Sequence, residues 1–152
     1  MKQLGAAVLL CLLPLRLLAE PVGRLQFVTD ELRHRLQILE SVHFTLVEHN
    51  PLVMSVETLA GRSGPFVITA DKQFVRTLSE DELKAAIAHE LGHIWIYTHH
   101  PYLQTERLAN DIALRVISAE VLVPVYEKVW KRIGRRGNLA EIIPIEMKPG
   151  SR

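Results

Sequence analysis

The chain has 152 residues, of which 18 are Lys or Arg and 17 are Asp or Glu, so its formal net charge is only +1. This near balance gives no support for nucleic-acid binding, which needs a clear excess of basic residues. The length predicts one domain with room for a substantial hydrophobic core.

The N-terminus has the features of a secretory signal peptide. A basic start precedes the apolar run Leu4–Leu13, and Ala19 offers a small residue at a cleavage point. The run is shorter than the roughly 20 residues that span a membrane. We therefore predict a signal peptide over residues 1–19 and export to the periplasm or the exterior; Leu17 is a poor residue before a cleavage site and leaves an uncleaved anchor as the alternative. Cys11, the single cysteine, lies in this segment, so the mature chain would form no disulfide.

Pro21–Glu40 predicts an amphipathic helix. Its apolar residues recur at steps of three and four, as expected for one buried helical face: Leu25, Val28, Leu32, Leu36 and Leu39. Three short β-rich stretches follow, separated by turn residues, at His43–Glu48, Leu52–Glu57 and Phe66–Thr69. They predict a small antiparallel sheet, and Asp71–Leu78 predicts a short helix after it.

A longer helix is predicted to begin after Ser79, which forms a capping-box pattern with Glu82. Apolar residues at helical spacing continue it through Leu83, Ala86, Ile87, Ile94 and Trp95. The helix contains the pattern H-E-x-x-H at residues 89–93. Residues four apart lie on one helical face, so His89 and His93 present two imidazoles to one point.

These residue types in this order predict a hydrolytic zinc site. Neutral imidazole is a good zinc ligand. Glu90 follows the first histidine and can take a proton from a water that the metal activates. The plainer interpretation is a buried helix whose histidines only satisfy hydrogen bonds, but the helical context favours the metal site.

A catalytic zinc takes a third protein ligand and leaves one position for water. Pro101 ends the motif helix, and Leu103–Val123 predicts a second helix that would bring Glu106 back to the motif. Glu106 is the preferred third ligand, Asp111 is its rival, and Asn110 could hydrogen-bond a ligand. Without a metal, Glu106 would be an exposed first-turn glutamate that complements the helix dipole.

The remaining signals are weaker. His99 and His100 suit a helix C-terminus, and the oxyanion of a tetrahedral intermediate could be stabilised by one of four donors: Tyr97, His100, Tyr102 or Arg115. Pro124 predicts either a kink or the start of a third helix, Val125–Ile133.

A basic cluster near the end of this helix is typical of a solvated helix end or of a docking surface for anionic membrane headgroups or an acidic partner: Lys128, Lys131, Arg132, Arg135 and Arg136. Asn138–Arg152 predicts a docked extended tail.

Leu78–Ile94 and Glu106–Ala113 together resemble the zinc metallopeptidases typified by HtpX and the CAAX prenyl endopeptidases. In that family an E-x-x-A-D helix after the H-E-x-x-H helix supplies the third ligand. The resemblance therefore implies His89, His93 and Glu106 on zinc, with Glu90 as the base. Asn110 stands where that family has Asp, and Glu-x-x-Ala-Asn also resembles the ImmA/IrrE-type metallopeptidases.

The sequence thus predicts a small α+β, zincin-like domain of the gluzincin type over residues 20–152, with a short antiparallel sheet packed against the motif helix and a ligand helix. We expect an exported metalloendopeptidase that holds one Zn²⁺ per chain and acts on a peptide or protein substrate. The substrate would bind as an added strand at Phe66–Thr69 or Met54–Glu57, because main-chain hydrogen bonds recognise any sequence. The alternative is a catalytically weak zinc-binding module that binds a partner in the cell envelope, motivated by Asn110 and the small size.

Overall fold

A computed structural model describes residues 21–61 and 64–143 of the chain. This part contains, in order, α1 (Pro21–Arg35), β1 (Val42–Val47), β2 (Met54–Thr58), β3 (Phe66–Asp71), α2 (Lys72–Val75), α3 (Glu80–His99), α4 (Glu106–Ala113), α5 (Ala119–Ile133) and α6 (Leu139–Ile142). The α+β class is as predicted. None of the helices in the described ranges is long and apolar enough to cross a membrane. The predicted signal peptide and the end of the predicted tail lie outside the described residues.

The sheet is mixed rather than purely antiparallel. β3 lies in the centre, parallel to β1 and antiparallel to β2. The antiparallel prediction is wrong for β1. β2 follows β1 along the chain but lies at the far edge of the sheet, so β1 pairs with β3 instead. Alternate residues of β1 and β3 face the core and are buried, among them Phe44, Phe66 and Ile68. Among the described strands β2 pairs only with β3, so its outer edge is open.

α3 is the central helix and contacts α1, α4, α5 and the sheet. It begins as predicted, because Ser79 caps it: the Glu82 N–H donates to Ser79 Oγ at 3.2 Å, and the Ser79 N–H donates to Glu82 Oε2 at 2.5 Å. Small and aliphatic side chains on several faces of α3 are buried: Ala85, Ala86, Ile87, Ala88, Leu91, Ile94 and Ile96. This burial fixes the position of α3, and hence of the motif, within the core.

α1 is shorter than predicted. It ends at Arg35, and Gln37 adopts a left-handed backbone with φ of +58°. The chain leaves the helical path there, so Ile38 turns inward and Leu39, predicted to be buried, is 89% exposed. The prediction for Leu39 is therefore wrong, whereas Leu36 is buried as expected.

The predicted second helix, Leu103–Val123, is two helices. α4 ends at Ala113 and α5 begins after Ser118, whose extended backbone (φ −98°, ψ 157°) occupies the N-cap position. Pro124 lies inside α5, so the prediction that it starts a new helix is wrong. Because the chain turns between α4 and α5, α5 can pack against α3.

The C-terminal part of the described chain is also more regular than predicted. Asn138 caps α6, with its Oδ1 accepting from the Ala140 N–H at 3.1 Å. The expected extended conformation is therefore wrong for Leu139–Ile142. Ile143, the next residue, is fully buried and anchors this segment in the core.

Candidate metal centre

His89 and His93 lie one turn apart on α3 and direct their rings to the same place. The two rings meet edge to face with centroids 4.7 Å apart. Their Nε2 atoms are 3.2 Å apart. The helical spacing thus does what the sequence predicts, and brings two imidazole nitrogens to one point.

Glu106, the third donor, lies beside the two histidines because α4 crosses very close to α3. A Cβ at Gly92 would lie 2.4 Å from the Ala109 carbonyl oxygen, so only glycine allows this approach. Thr105 caps α4 by accepting from the Leu108 N–H at 3.1 Å, which makes Glu106 the first residue of the helix. Glu106 therefore faces the motif from the start of α4.

The distances among the three donors suit a tetrahedral metal ion. Glu106 Oε2 is 3.3 Å from His89 Nε2, and Glu106 Oε1 is 3.5 Å from His93 Nε2. A tetrahedral ion with bonds of about 2.0–2.1 Å holds its donors about 3.3–3.4 Å apart. Two imidazoles and a carboxylate are also the donor types of catalytic zinc sites. The residues present therefore fit zinc, and the rival Asp111 is exposed and outside this group.

The protonation tendencies agree with a cation-binding site. Hydrogen bonds with His89 and then His93 hold the pKa of Glu106 far below its usual range. Burial disfavours the charged form of His93, but hydrogen bonds with Glu106 and Gln104 outweigh it and raise the pKa of His93. Without a metal, the Glu106 carboxylate thus favours a proton on His93.

Glu90 lies on the same helix and is 8% exposed. Burial raises its pKa, and the nearby His89 and His93 oppose that shift. A carboxylate with a raised pKa is a stronger base, as a proton-transferring group requires.

The Nδ1 atom of each imidazole lies within hydrogen-bond distance of a side-chain carboxamide. His89 Nδ1 and Asn110 Oδ1 are 2.7 Å apart, and His93 Nδ1 and Gln104 Oε1 are 3.1 Å apart. Asn110 is fully buried, whereas Gln104 is exposed. The sequence pointed to Asn110 and missed Gln104, which lies in a connecting segment without periodicity.

Tyr126 of α5 joins this network. Its hydroxyl donates to Glu106 Oε2 at 3.2 Å and accepts from Asn110 Nδ2 at 2.9 Å. Burial, and then the charge of Glu106, raise the pKa of Tyr126, so the hydroxyl keeps its proton and can donate it. Sequence reasoning missed Tyr126 because its position depends on the turn between α4 and α5.

The three donors and Glu90 line a pocket of about 540 Å³. β2 contributes Met54, Ser55, Val56 and Thr58 to the same pocket, so the open edge strand borders the candidate metal centre. The other walls are largely apolar and include Phe74, Leu122, Val125 and Val129. The site is therefore a cleft between a strand and the motif helix.

Among the four donors suggested for an oxyanion, Tyr97 lines this pocket, with its ring edge-on to Phe66 at 5.9 Å. His100 and Tyr102 lie in a separate recess beyond the end of α3. Arg115 lies over the Trp95 ring, 5.0 Å from its centroid. As predicted, α3 ends at the histidine pair, with His99 its last residue.

Two members of the basic cluster form contacts within the chain. Lys128 Nζ lies 2.6 Å from Glu82 Oε2 and donates to the Thr77 carbonyl at 2.8 Å. Arg132 reaches the buried Asp71 at 3.5 Å. The membrane interpretation of the cluster stays a prediction, and it falls on the exposed remainder: Lys131, Arg135 and Arg136.

No protein-family model matches the chain, and no curated protein matches it. Among solved structures, the chain is similar to the crystal structure of the metallopeptidase zymogen abylysin from Pyrococcus abyssi, with a TM-score of 0.52 and 15% sequence identity. The similarity covers 75% of this chain and 99% of that one. It shows a shared, metallopeptidase-like fold. It does not confirm the narrower resemblance to the HtpX and CAAX prenyl endopeptidases.

Proposed function

We propose that the chain is a zinc-dependent metalloendopeptidase, with His89, His93 and Glu106 as metal ligands and Glu90 as the catalytic base. The observation that carries the proposal is the convergence of two imidazoles and the Glu106 carboxylate, whose nearest atoms are 3.2–3.5 Å apart, beside a buried carboxylate and an open cleft. The metallopeptidase-like fold supports it.

When bound, zinc would supply a Lewis acid that polarises the scissile carbonyl and lowers the pKa of a water. Glu90 accepts the proton of the attacking water on its carboxylate and returns it to the leaving amine. Its raised pKa favours the first transfer. Tyr97, on the wall of the same pocket, is the proposed donor to the developing oxyanion.

The peptide would bind along the outer edge of β2. An extended chain can add to an open strand edge through main-chain hydrogen bonds, and β2 borders the pocket. The other predicted strand, Phe66–Thr69, belongs to β3, which is paired on both sides, so the prediction of an edge there is wrong.

Metal analysis and peptide hydrolysis by the purified protein test the proposal. We expect one zinc per chain in the wild type, loss of zinc in His93→Ala, and retained zinc with turnover lowered by about 10²–10⁴-fold in Glu90→Gln. Glu31→Gln, a matched change on the exposed side of α1, should leave zinc and turnover unchanged.

Three results would contradict parts of the proposal. A zinc-loaded wild type without turnover on any peptide would favour the alternative, a zinc-binding partner module. Undiminished turnover in Glu90→Gln would refute the role of the base. A folded wild type without stoichiometric zinc would refute the metal site.

Export is proposed from residues 1–19 alone. Sequencing the N-terminus of protein recovered from the periplasm or medium should give a chain that begins at Glu20. Recovery of the uncleaved chain in the membrane fraction would favour the anchor instead.

A further inference from the structure

We propose that Asn110 and Gln104 are a matched pair of carboxamide positioning residues, each oriented by a backbone carbonyl, that fix His89 and His93 with Nδ1 protonated and Nε2 free for the metal. The Ile142 carbonyl is thereby part of the site. The inference rests on the proposed metal site, but it does not depend on peptide hydrolysis.

The first step concerns Asn110. Its Nδ2 donates to the Ile142 carbonyl oxygen at 2.7 Å. A backbone carbonyl can only accept, so the NH₂ group must face Ile142 and the amide oxygen must face His89. The His89 Nδ1, 2.7 Å from that oxygen, must then carry a proton, which leaves the Nε2 lone pair free.

The same logic applies at Gln104. Its Nε2 donates to the His93 carbonyl oxygen at 3.0 Å, which turns its Oε1 towards the His93 ring. The ring Nδ1 lies 3.1 Å from that oxygen and must donate to it. Two amide groups on different segments thus select the same tautomer at both histidines, as metal-binding imidazoles require of the groups behind them.

The arrangement explains why these positions carry amides rather than carboxylates. An Asp at position 110 could accept from His89, but its second oxygen would face the Ile142 carbonyl oxygen, and two acceptors would then repel each other. A Glu at position 104 would meet the His93 carbonyl oxygen in the same way. Asn at position 110 satisfies both His89 and the Ile142 carbonyl, which a carboxylate cannot do.

Contacts on both sides of α6 hold it in place, so that its Ile142 carbonyl can orient Asn110. The Ile143 N–H donates to the Leu139 carbonyl at 2.8 Å, and the Ile143 side chain is fully buried. A Cβ at Gly137 would lie 2.2 Å from the Trp130 side chain, so the segment before α6 passes close against α5. The Ile142 carbonyl therefore has a fixed place from which to orient Asn110.

Zinc competition against a chromophoric chelator tests the pair. Asn110→Ala should weaken zinc binding by about 10–100-fold. Gln104→Ala should weaken it less, because Gln104 is exposed and water can replace its oxygen. Asn110→Asp keeps the acceptor for His89 and should bind zinc more tightly than Asn110→Ala. Amide hydrogen exchange of Leu139–Ile143 should be faster than in the wild type in both Asn110 variants.

Matched controls are available elsewhere in the chain. Asn50→Ala removes another buried carboxamide, and Gln73→Ala removes another exposed one. Both should bind zinc as the wild type does. They separate a general loss of stability from loss of the support behind the ligands.

Long-range ¹H–¹⁵N NMR of the zinc-loaded wild type gives a direct test that does not depend on any variant folding. Protonated Nδ1 and metal-bound Nε2 at both His89 and His93 would support the inference. Coordination through Nδ1 at either ring, or wild-type zinc affinity in both alanine variants, would overturn it. Zinc bound through both Nε2 atoms without any peptide turnover would leave the inference standing and refute the proposed function, and failure of the wild type to bind zinc would overturn both.

Discussion

Gly92→Ala tests how the crossing of α3 and α4 builds the site. The new Cβ would lie 2.4 Å from the Ala109 carbonyl oxygen, and real Cβ contacts stay beyond 3.0 Å, so α4 must retreat by at least about 0.6 Å. Metal sites tolerate about 0.2 Å in ligand distance. We therefore expect weaker zinc binding through displacement of Glu106, together with a loss of about 1–3 kcal/mol in the free energy of unfolding.

The sign of the stability change makes this test decisive. Helix propensity alone would make alanine more stable than glycine by about 1 kcal/mol. Gly23→Ala in α1 is the matched control, because a Cβ there meets nothing within 4 Å, and it should be neutral or stabilising. Thermal denaturation should show Gly92→Ala melting lower than the wild type by about 4–12 °C. A variant of equal or higher stability with unchanged zinc affinity would refute the reasoning.

Three further predictions concern the supports of the site. Ser79→Ala removes the cap of α3 and should cost about 1 kcal/mol in urea denaturation; no change in the midpoint would contradict the capping role. Tyr126→Phe leaves Glu106 and Asn110 without the hydroxyl and should cost about 1–3 kcal/mol, with weaker zinc binding in chelator competition; unchanged stability and affinity would contradict the network. Asp71→Ala should cost about 1–2 kcal/mol near neutral pH, because Asp71 caps α2. Burial opposes ionisation of Asp71, but backbone hydrogen bonds from Phe74 and Asn50 outweigh it and lower its pKa in the folded state. The contribution of this carboxylate is therefore full above about pH 4, its unfolded pKa, and is lost as pH falls through the lower folded value. A difference between wild type and variant that stays constant from pH 6 to about pH 2 would contradict this assignment.

The features that could be predicted are those that depend on patterns among residues close together in the sequence. The capping box at Ser79 marks the start of α3, and the four-residue spacing of His89 and His93 places both rings on one face. Glu106 could be singled out because it lies in the first turn of the helix predicted to pack back against the motif. Asn110, one turn later, could be placed behind a ligand by the same helical periodicity.

What could not be predicted depends on contacts between distant segments. No local pattern shows that β3 lies between β1 and β2, or that the predicted helix Leu103–Val123 is interrupted between Ala113 and Ala119. The positions of Tyr126 and the Ile142 carbonyl follow from that break and from the docking of α6. The predicted burial of Leu39 is wrong for a local reason, because the left-handed backbone of Gln37 ends the helical periodicity.

The central claim is that one zinc ion is held by His89, His93 and Glu106. Diffraction from zinc-loaded crystals at the zinc absorption edge tests it most directly. The account predicts one anomalous peak per chain, about 2.0–2.1 Å from both Nε2 atoms and about 2.0–2.2 Å from a Glu106 carboxylate oxygen. A peak bound instead by Asp111 or by the His99–His100 pair, or no peak in a correctly folded chain, would contradict it.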